Sequence, residues 1–203
     1  ILILTNEDSL EADFAVVQAE FDLPIGHPDG VVDEAAALPA VEDGAAWPDR
    51  TDLRDLPTIT IDPRDARDFD DAVSLEMLDG GRSRIGVHIA DVSAYVQPGS
   101  LIDQSAESRG TSIYLPGRVI PMLPERLAND LCSLRPEEDR LAKSVFMVFS
   151  SKGKLIETEI CRSVIRSKRR FTYGEALAIL DSLEGRDVPA EDLPPDRADY
   201  EPI

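Results

Sequence analysis

Apolar and polar positions alternate with a period of two in the middle of the chain. Val73, Leu75 and Met77 alternate with Ala72, Ser74 and Glu76, and Ile85, Val87 and Ile89 repeat the pattern after the turn-forming Asp79-Gly80-Gly81. Successive strand side chains point to opposite faces, so this predicts a hairpin of two half-buried strands. Thr58 to Ile61 is β-branched and reads as a strand that ends at Asp62-Pro63. Val145 to Phe149 has the composition of a buried strand, Leu155 to Ile165 reads as a longer one, and Thr111 to Leu115 as a short one. Helix signals are fewer. Glu11 to Glu20 suits a short helix around Phe14 and Val17, Ser100 with Asp103 caps a helix that stops before Gly110, and Pro124 opens a short helix running to Leu131. Thr172 and Glu175 form a T-x-x-E capping box ahead of the helix Ala176 to Leu183. Strands outnumber helices and hairpins dominate. The expected fold is α+β: a mixed, largely antiparallel sheet with flanking helices.

Charge divides the chain into three pieces. Its 203 residues carry a net charge of −19, yet residues 57–174 hold 17 acids against 17 bases. The excess acid lies at the two ends, in residues 1–56 and 175–203. Residues 1–56 contain no Lys, several Pro and Gly, and an alanine-rich stretch, and read as an acidic leader or linker. Residues 57–184 form the expected folded domain, and the Pro-rich acidic tail 185–203 reads as lacking packed structure. Lys152 to Arg170 holds seven bases against Glu157 and Glu159, a run whose plain reading is a solvated charged face. No apolar run could cross a bilayer, and no signal peptide is visible. Cys132 and Cys161 are too few for a disulfide framework or a zinc site. A cytoplasmic location without a membrane partner is the expectation, and the Ile start points to a processed or excised chain.

The informative stretch is Asp62-Pro63-Arg64-Asp65-Ala66-Arg67-Asp68-Phe69-Asp70-Asp71-Ala72. Five carboxylates within ten residues repel one another, by roughly 4 kcal/mol for two charges about 4 Å apart at an effective dielectric near 20. Three readings account for them. The acids face water or cap helices; or they form a calcium loop, for which no starting position offers the required ligand spacing; or they hold one or two hard cations that polarise a phosphate and activate water. The interleaved Arg64 and Arg67 favour the last. The histidines offer little: His27 lies in a Gly/Pro loop and His88 in a strand, where a structural role is the common one. No phosphate-cradling glycine loop is present, which argues against a nucleotide cofactor.

The stretch Asp62 to Ala72 resembles the signature of the ribonuclease II / ribonuclease R exoribonuclease family, the RNB domain. The likeness continues through Gly86-Val87-His88-Ile89-Ala90-Asp91-Val92-Ser93, Gly110-Thr111-Ser112-Ile113-Tyr114-Leu115-Pro116, Val119 to Pro124 and Leu131-Cys132-Ser133-Leu134, in order over residues 52–180. The ribonuclease R branch is the more similar. The resemblance implies a Mg²⁺-dependent enzyme (Mn²⁺ being an alternative) that hydrolyses single-stranded RNA processively from its 3′ end to nucleoside 5′-monophosphates. It implies that Asp62, Asp68, Asp70 and Asp71 are the acids of the site, with Asp62 and Asp71 as direct metal ligands, Asp70 the most critical for cleavage and Asp68 supporting the metal. It implies that Tyr114 stacks on the terminal base, and that His88 and Asp91 are structural. The family's cold-shock and S1 RNA-binding domains are not visible in this sequence, nor is the second half of the RNB domain with its catalytic arginine. The 203 residues by themselves are therefore expected to be inactive. The alternative is a non-catalytic remnant that binds metal or protein.

Overall fold

The computed structural model describes residues 10–200 and residue 203. Two compact units are distinguished, one of residues 1–37 with 98–124 and one of residues 38–97 with 125–203.

The larger unit is a seven-stranded sheet. β1 (Thr51–Leu53), β2 (Thr58–Asp62), β3 (Asp71–Leu78), β4 (Arg82–Ala90), β7 (Asp139–Phe149), β8 (Leu155–Arg166) and β9 (Arg169–Thr172) lie in the order β1-β8-β7-β4-β3-β2-β9. The β3–β4 hairpin forms as its alternation predicts, with Val73 opposite Val87 and Leu75 opposite Ile85. Gly80 and Gly81 take φ of 73° and 72° in the turn, a region where L side chains are strained. β7 runs antiparallel to both β4 and β8, whereas β1 pairs with β8 and β2 with β9 in parallel. The sheet is therefore mixed and mainly antiparallel, and the α+β expectation holds. α4 (Tyr173–Leu183) starts at the Thr172/Glu175 capping box, both of whose reciprocal bonds form, and packs Ile179 against Ile59 and Phe171.

The smaller unit contains α1 (Leu10–Phe21), α2 (Asp29–Ala36), α3 (Leu101–Arg109) and the hairpin β5 (Ile113–Leu115) with β6 (Arg118–Ile120). Ser100 Oγ accepts from Asp103 N at 3.1 Å, and Gly110 closes α3 at φ 75°. The short helix expected from Pro124 to Leu131 winds as a wide π-helical turn over Leu127–Leu131.

Three expectations change. The leader supplies helices, a strand of the main sheet and, at Arg50, an interior ion pair with Asp91; its residues 1–9 lie outside those described. The tail after Gly185 is largely exposed yet tied to the sheet at its far end. Arg169 Nε donates to Asp196 at 2.9 Å, and the Tyr200 ring meets Phe171 edge-on at 5.4 Å. Nor is the basic run a plain solvated face: Arg166 pairs with buried Asp139 at 2.8 Å, and Arg169 with both Glu175 and Asp196.

Candidate active site

β2 ends where the sequence says it must, since Pro63 has no N–H for the ladder. From there residues 63–70 form a loop, and the chain re-enters the sheet at Asp71, paired with Ile89. The loop is pinned rather than loose. Ala66 N donates to Pro63 O at 3.1 Å and closes a turn. Ser133 Oγ donates to Arg67 O at 2.7 Å and accepts from Phe69 N at 3.2 Å, while Leu134 N donates to Phe69 O at 2.8 Å. Ala90 N donates to Asp70 O at 2.9 Å. From β9, Arg170 Nη2 donates to Pro63 O and, at 2.8 Å, to Arg64 O. Ser133 is fully buried, which shelters its two bonds to the loop from competing water, whereas the Arg170 bonds lie at the surface.

That scaffold brings four of the predicted residues into one electrostatic neighbourhood. Asp62 is 8% exposed at the end of β2, Asp68 is half-buried, and Asp70 and Asp71 are open to solvent. Burial raises the Asp62 carboxyl above its usual range; the nearby Thr60 hydroxyl and the Arg170 guanidinium oppose this, and the charges of Asp71 and Asp68 add to it. Partial desolvation likewise raises Asp70, followed by the charges of Asp68, Asp71 and Asp62. Asp62 Oδ2 and Thr60 Oγ1, two residues apart on the strand, are both buried and make no hydrogen bond of ordinary geometry, though the Thr60 hydroxyl is near enough to favour the charged carboxylate. A buried carboxylate oxygen left unpaired is costly, and oxygen donors of this type suit a hard divalent cation. Among the described residues, however, no group of three or more Asp, Glu, His or Cys side chains converges tightly enough to hold a metal ion. The donor chemistry fits such an ion. The acid side chains would have to draw together to share one ion.

Tyr114 sits on β5 of the smaller unit, 63% exposed. His88 has the structural role expected of it: fully buried, it bonds Ser74 at 2.9 Å and Ser144 at 2.7 Å. Asp91 is held by Arg50 and Ser93 at 2.8 and 2.7 Å. Sequence reasoning did not single out Ser133 or Arg170 as supports of the loop. The Leu131–Leu134 block was the available signal for the first; a basic run gave none for the second.

A cavity of about 1080 Å³ is lined in part by Arg64, Lys168 and Arg170 together with Asp187, Glu191 and Asp192. The four acids are not part of its wall. Among the described residues no helix is long and apolar enough to cross a membrane.

Comparisons with known proteins place these features. Residues 50–194 match the RNB domain. Ribonuclease R of Chlamydia muridarum is 51% identical over 176 residues, 87% of this chain and 25% of that protein. The structure of Mycoplasma genitalium RNase R in complex with ribose-methylated single-stranded RNA superposes with a TM-score of 0.81 at 31% identity, covering 94% of this chain and 29% of that one. The same enzyme in complex with double-stranded RNA gives 0.81 over 94% and 34%. The chain thus spans about a quarter of the curated relatives' length. By the extent of the domain match and the likeness to ribonuclease R in sequence and fold, this chain belongs to the RNB-domain family.

Proposed function

We propose that this chain is the acid-bearing part of a Mg²⁺-dependent exoribonuclease that hydrolyses single-stranded RNA from its 3′ end, processively, to nucleoside 5′-monophosphates. The observation that carries the reading is the buried Asp62 Oδ2, without a hydrogen bond of ordinary geometry, at the mouth of a pinned loop, with Asp68 and Asp70 on the loop and Asp71 just after it within electrostatic reach. Asp62 and Asp71 would hold the cation directly, Asp68 would support them, and Asp70 would be the acid on which cleavage depends most. When bound, the ion supplies Lewis-acid polarisation of the phosphate and a more acidic water. The residues of this chain hold the ion and the RNA end. The pinned backbone orients the carboxylates, and their negative charge holds the cation. The exposed ring of Tyr114 offers a stacking face for a terminal base, sequence-tolerant and contributing roughly 1–3 kcal/mol. The RNA complexes of the Mycoplasma genitalium enzyme support the substrate class.

The test is a chimera in which this chain replaces the matching residues of Chlamydia muridarum ribonuclease R, incubated with 3′-tailed RNA and Mg²⁺. Release of 5′-mononucleotides, lowered about 10²–10³-fold by Asp70→Asn, is expected from the loss of one group that acts on transition-state charge. A chimera that folds, binds RNA and leaves it intact favours the alternative, a binding module that keeps its acids without hydrolysis. The 203 residues alone are expected to bind Mg²⁺ and release no product. Calorimetric titration in which Asp62→Ala and Asp71→Ala leave the affinity unchanged would remove the metal assignment.

A further inference from the structure

The two limbs of the acid-bearing loop are secured differently. Its later limb, Arg67 to Asp70, is tied to Ser133, Leu134 and Ala90. Its first limb, residues 63–66, carries no such backbone partners. Among the described residues, the hydrogen bonds that join this limb to another element come from Arg170, whose Nη2 donates to Pro63 O and Arg64 O. The guanidinium of the same side chain stands 5.4 Å from the centre of the Phe69 ring, at the loop's far end, within the range of a cation–π contact. Parallel pairing of β9 with β2, with Arg170 opposite Thr60 and Thr172 opposite Asp62, places Arg170 beside the strand from which the loop departs. One planar cation therefore reaches both limbs of the loop from beside the strand that ends at Asp62.

We propose that Arg170 is a positioning residue for the acid cluster: it clasps the loop so that Asp62, Asp68, Asp70 and Asp71 are presented in one arrangement before any cation arrives. This rests on the reading of the loop as a metal site. Carboxylates gathered without a counter-ion push their backbone apart, and a guanidinium that donates to the loop's carbonyls while lying over its aromatic ring opposes that spread without occupying a carboxylate. Lysine would keep the charge and a donor but lose the flat face on Phe69. The two residues are thus expected to be unequal here.

The test compares the 203-residue chain with Arg170→Gln and Arg170→Lys, using hydrogen exchange of peptides spanning 63–70 without metal, and Mn²⁺ titration. Arg170→Gln is expected to speed exchange in 63–70 about tenfold while β3 and β4 stay protected, and Arg170→Lys about threefold. Mn²⁺ affinity should fall about tenfold in the Gln variant and largely recover in the Lys variant. Unchanged exchange in a folded Gln variant overturns the proposal whatever the metal does. Faster exchange with an unchanged Mn²⁺ affinity also overturns it, because the clasp would then not serve the acids. Faster exchange in a chain whose wild type binds no Mn²⁺ upholds the clasp and removes the metal reading instead. If the Gln variant does not fold, the Lys variant decides: no rise in exchange at 63–70 overturns the clasp.

Discussion

His88 Nδ1 lies 2.7 Å from Ser144 Oγ, in the middle of a sheet where neither side chain reaches water. The contact belongs to a polar line that crosses four strands. Ser74 Oγ on β3 meets His88 Nε2 at 2.9 Å, and Ser144 Oγ on β7 meets Ser163 Oγ on β8 at 2.6 Å. A neutral imidazole has one donor and one acceptor nitrogen, and hydroxyl rotors can satisfy both. An imidazolium in the same place would be a buried charge without an anion. Burial therefore pushes the His88 pKa down to about 4, and the nearby Arg84 guanidinium acts in the same direction.

That depression predicts a pH dependence of stability. As pH falls, the unfolded chain takes up the His88 proton near 6.5, well before the folded chain does. The stability this site contributes is fully present above about pH 6.5 and is lost as pH falls toward 4; the full loss is about 3 kcal/mol. Urea unfolding of wild type and His88→Asn across that window measures it. The wild-type midpoint should fall more steeply than that of the variant, and parallel slopes would contradict a neutral buried imidazole.

Gly86 makes room for the same line. It sits opposite Ser74 on one side and Phe146 on the other. A Cβ there would run into Ser74 Oγ and come within 2.8 Å of His88 Nε2 and 3.0 Å of Phe146 Cε1. Packing is close enough here that these atoms have nowhere to go. Gly86→Ala should therefore cost about 2–3 kcal/mol. Adding Ser74→Ala, which removes the nearest obstructing atom, should recover part of the loss, so the pair should depart from additivity by more than about 0.5 kcal/mol. Denaturant titration of the four variants in the cycle provides the check.

Local rules made the central hairpin, the capping box of α4 and the Ser100 cap legible in advance, because each depends on residues a few positions apart. The acid cluster was legible because five aspartates in ten residues are conspicuous in any context. Arg50, Ser133, Arg169 and Arg170 were not. Their partners lie 41 (Asp91), 66 (Arg67), 27 (Asp196) and 106 (Arg64) positions away, and sequence pattern carries no signal for pairing at that range. The leader and tail were misread for a related reason. Acidic, Pro-containing composition argues for solvation only while the arginines that neutralise it are unknown.

Arg50 and Asp91 are the clearest such pair. They meet at 2.8 Å with side chains 5% and 1% exposed, and Ser93 and Lys143 complete the carboxylate's surroundings at 2.7 and 3.6 Å. Burial would raise the Asp91 pKa, but the hydrogen bonds from Ser93 and Arg50 and the charges of Arg50 and Lys143 outweigh it, and the net shift is downward. Removing one partner of a buried pair leaves the other charge stranded. Arg50→Met should cost about 3–5 kcal/mol, whereas Arg50→Met with Asp91→Leu should cost distinctly less. Thermal melts of the single and double variants decide this, and equal losses would mean that the pair carries no burial penalty.

Asp70 should behave in the opposite sense. Its pKa is raised by desolvation and then by the charges of Asp68, Asp71 and Asp62. For a carboxyl raised in the folded state, stability falls as pH rises through the folded value, so at neutral pH the Asp70 charge opposes folding. Asp70→Asn in EDTA should thus be more stable than wild type, by about 0.5 kcal/mol once solvent screening of an exposed group is allowed for. A cation bound among the acids reverses this. At a Mg²⁺ concentration about 100-fold above its dissociation constant, the wild type should gain roughly 2.7 kcal/mol and the variant less, so the order of melting temperatures inverts. Inversion ties the repulsion to a cation site. A variant that melts below wild type in EDTA would mean that the acids do not strain the loop, and equal Mg²⁺ shifts in both chains would mean that Asp70 has no part in holding the ion.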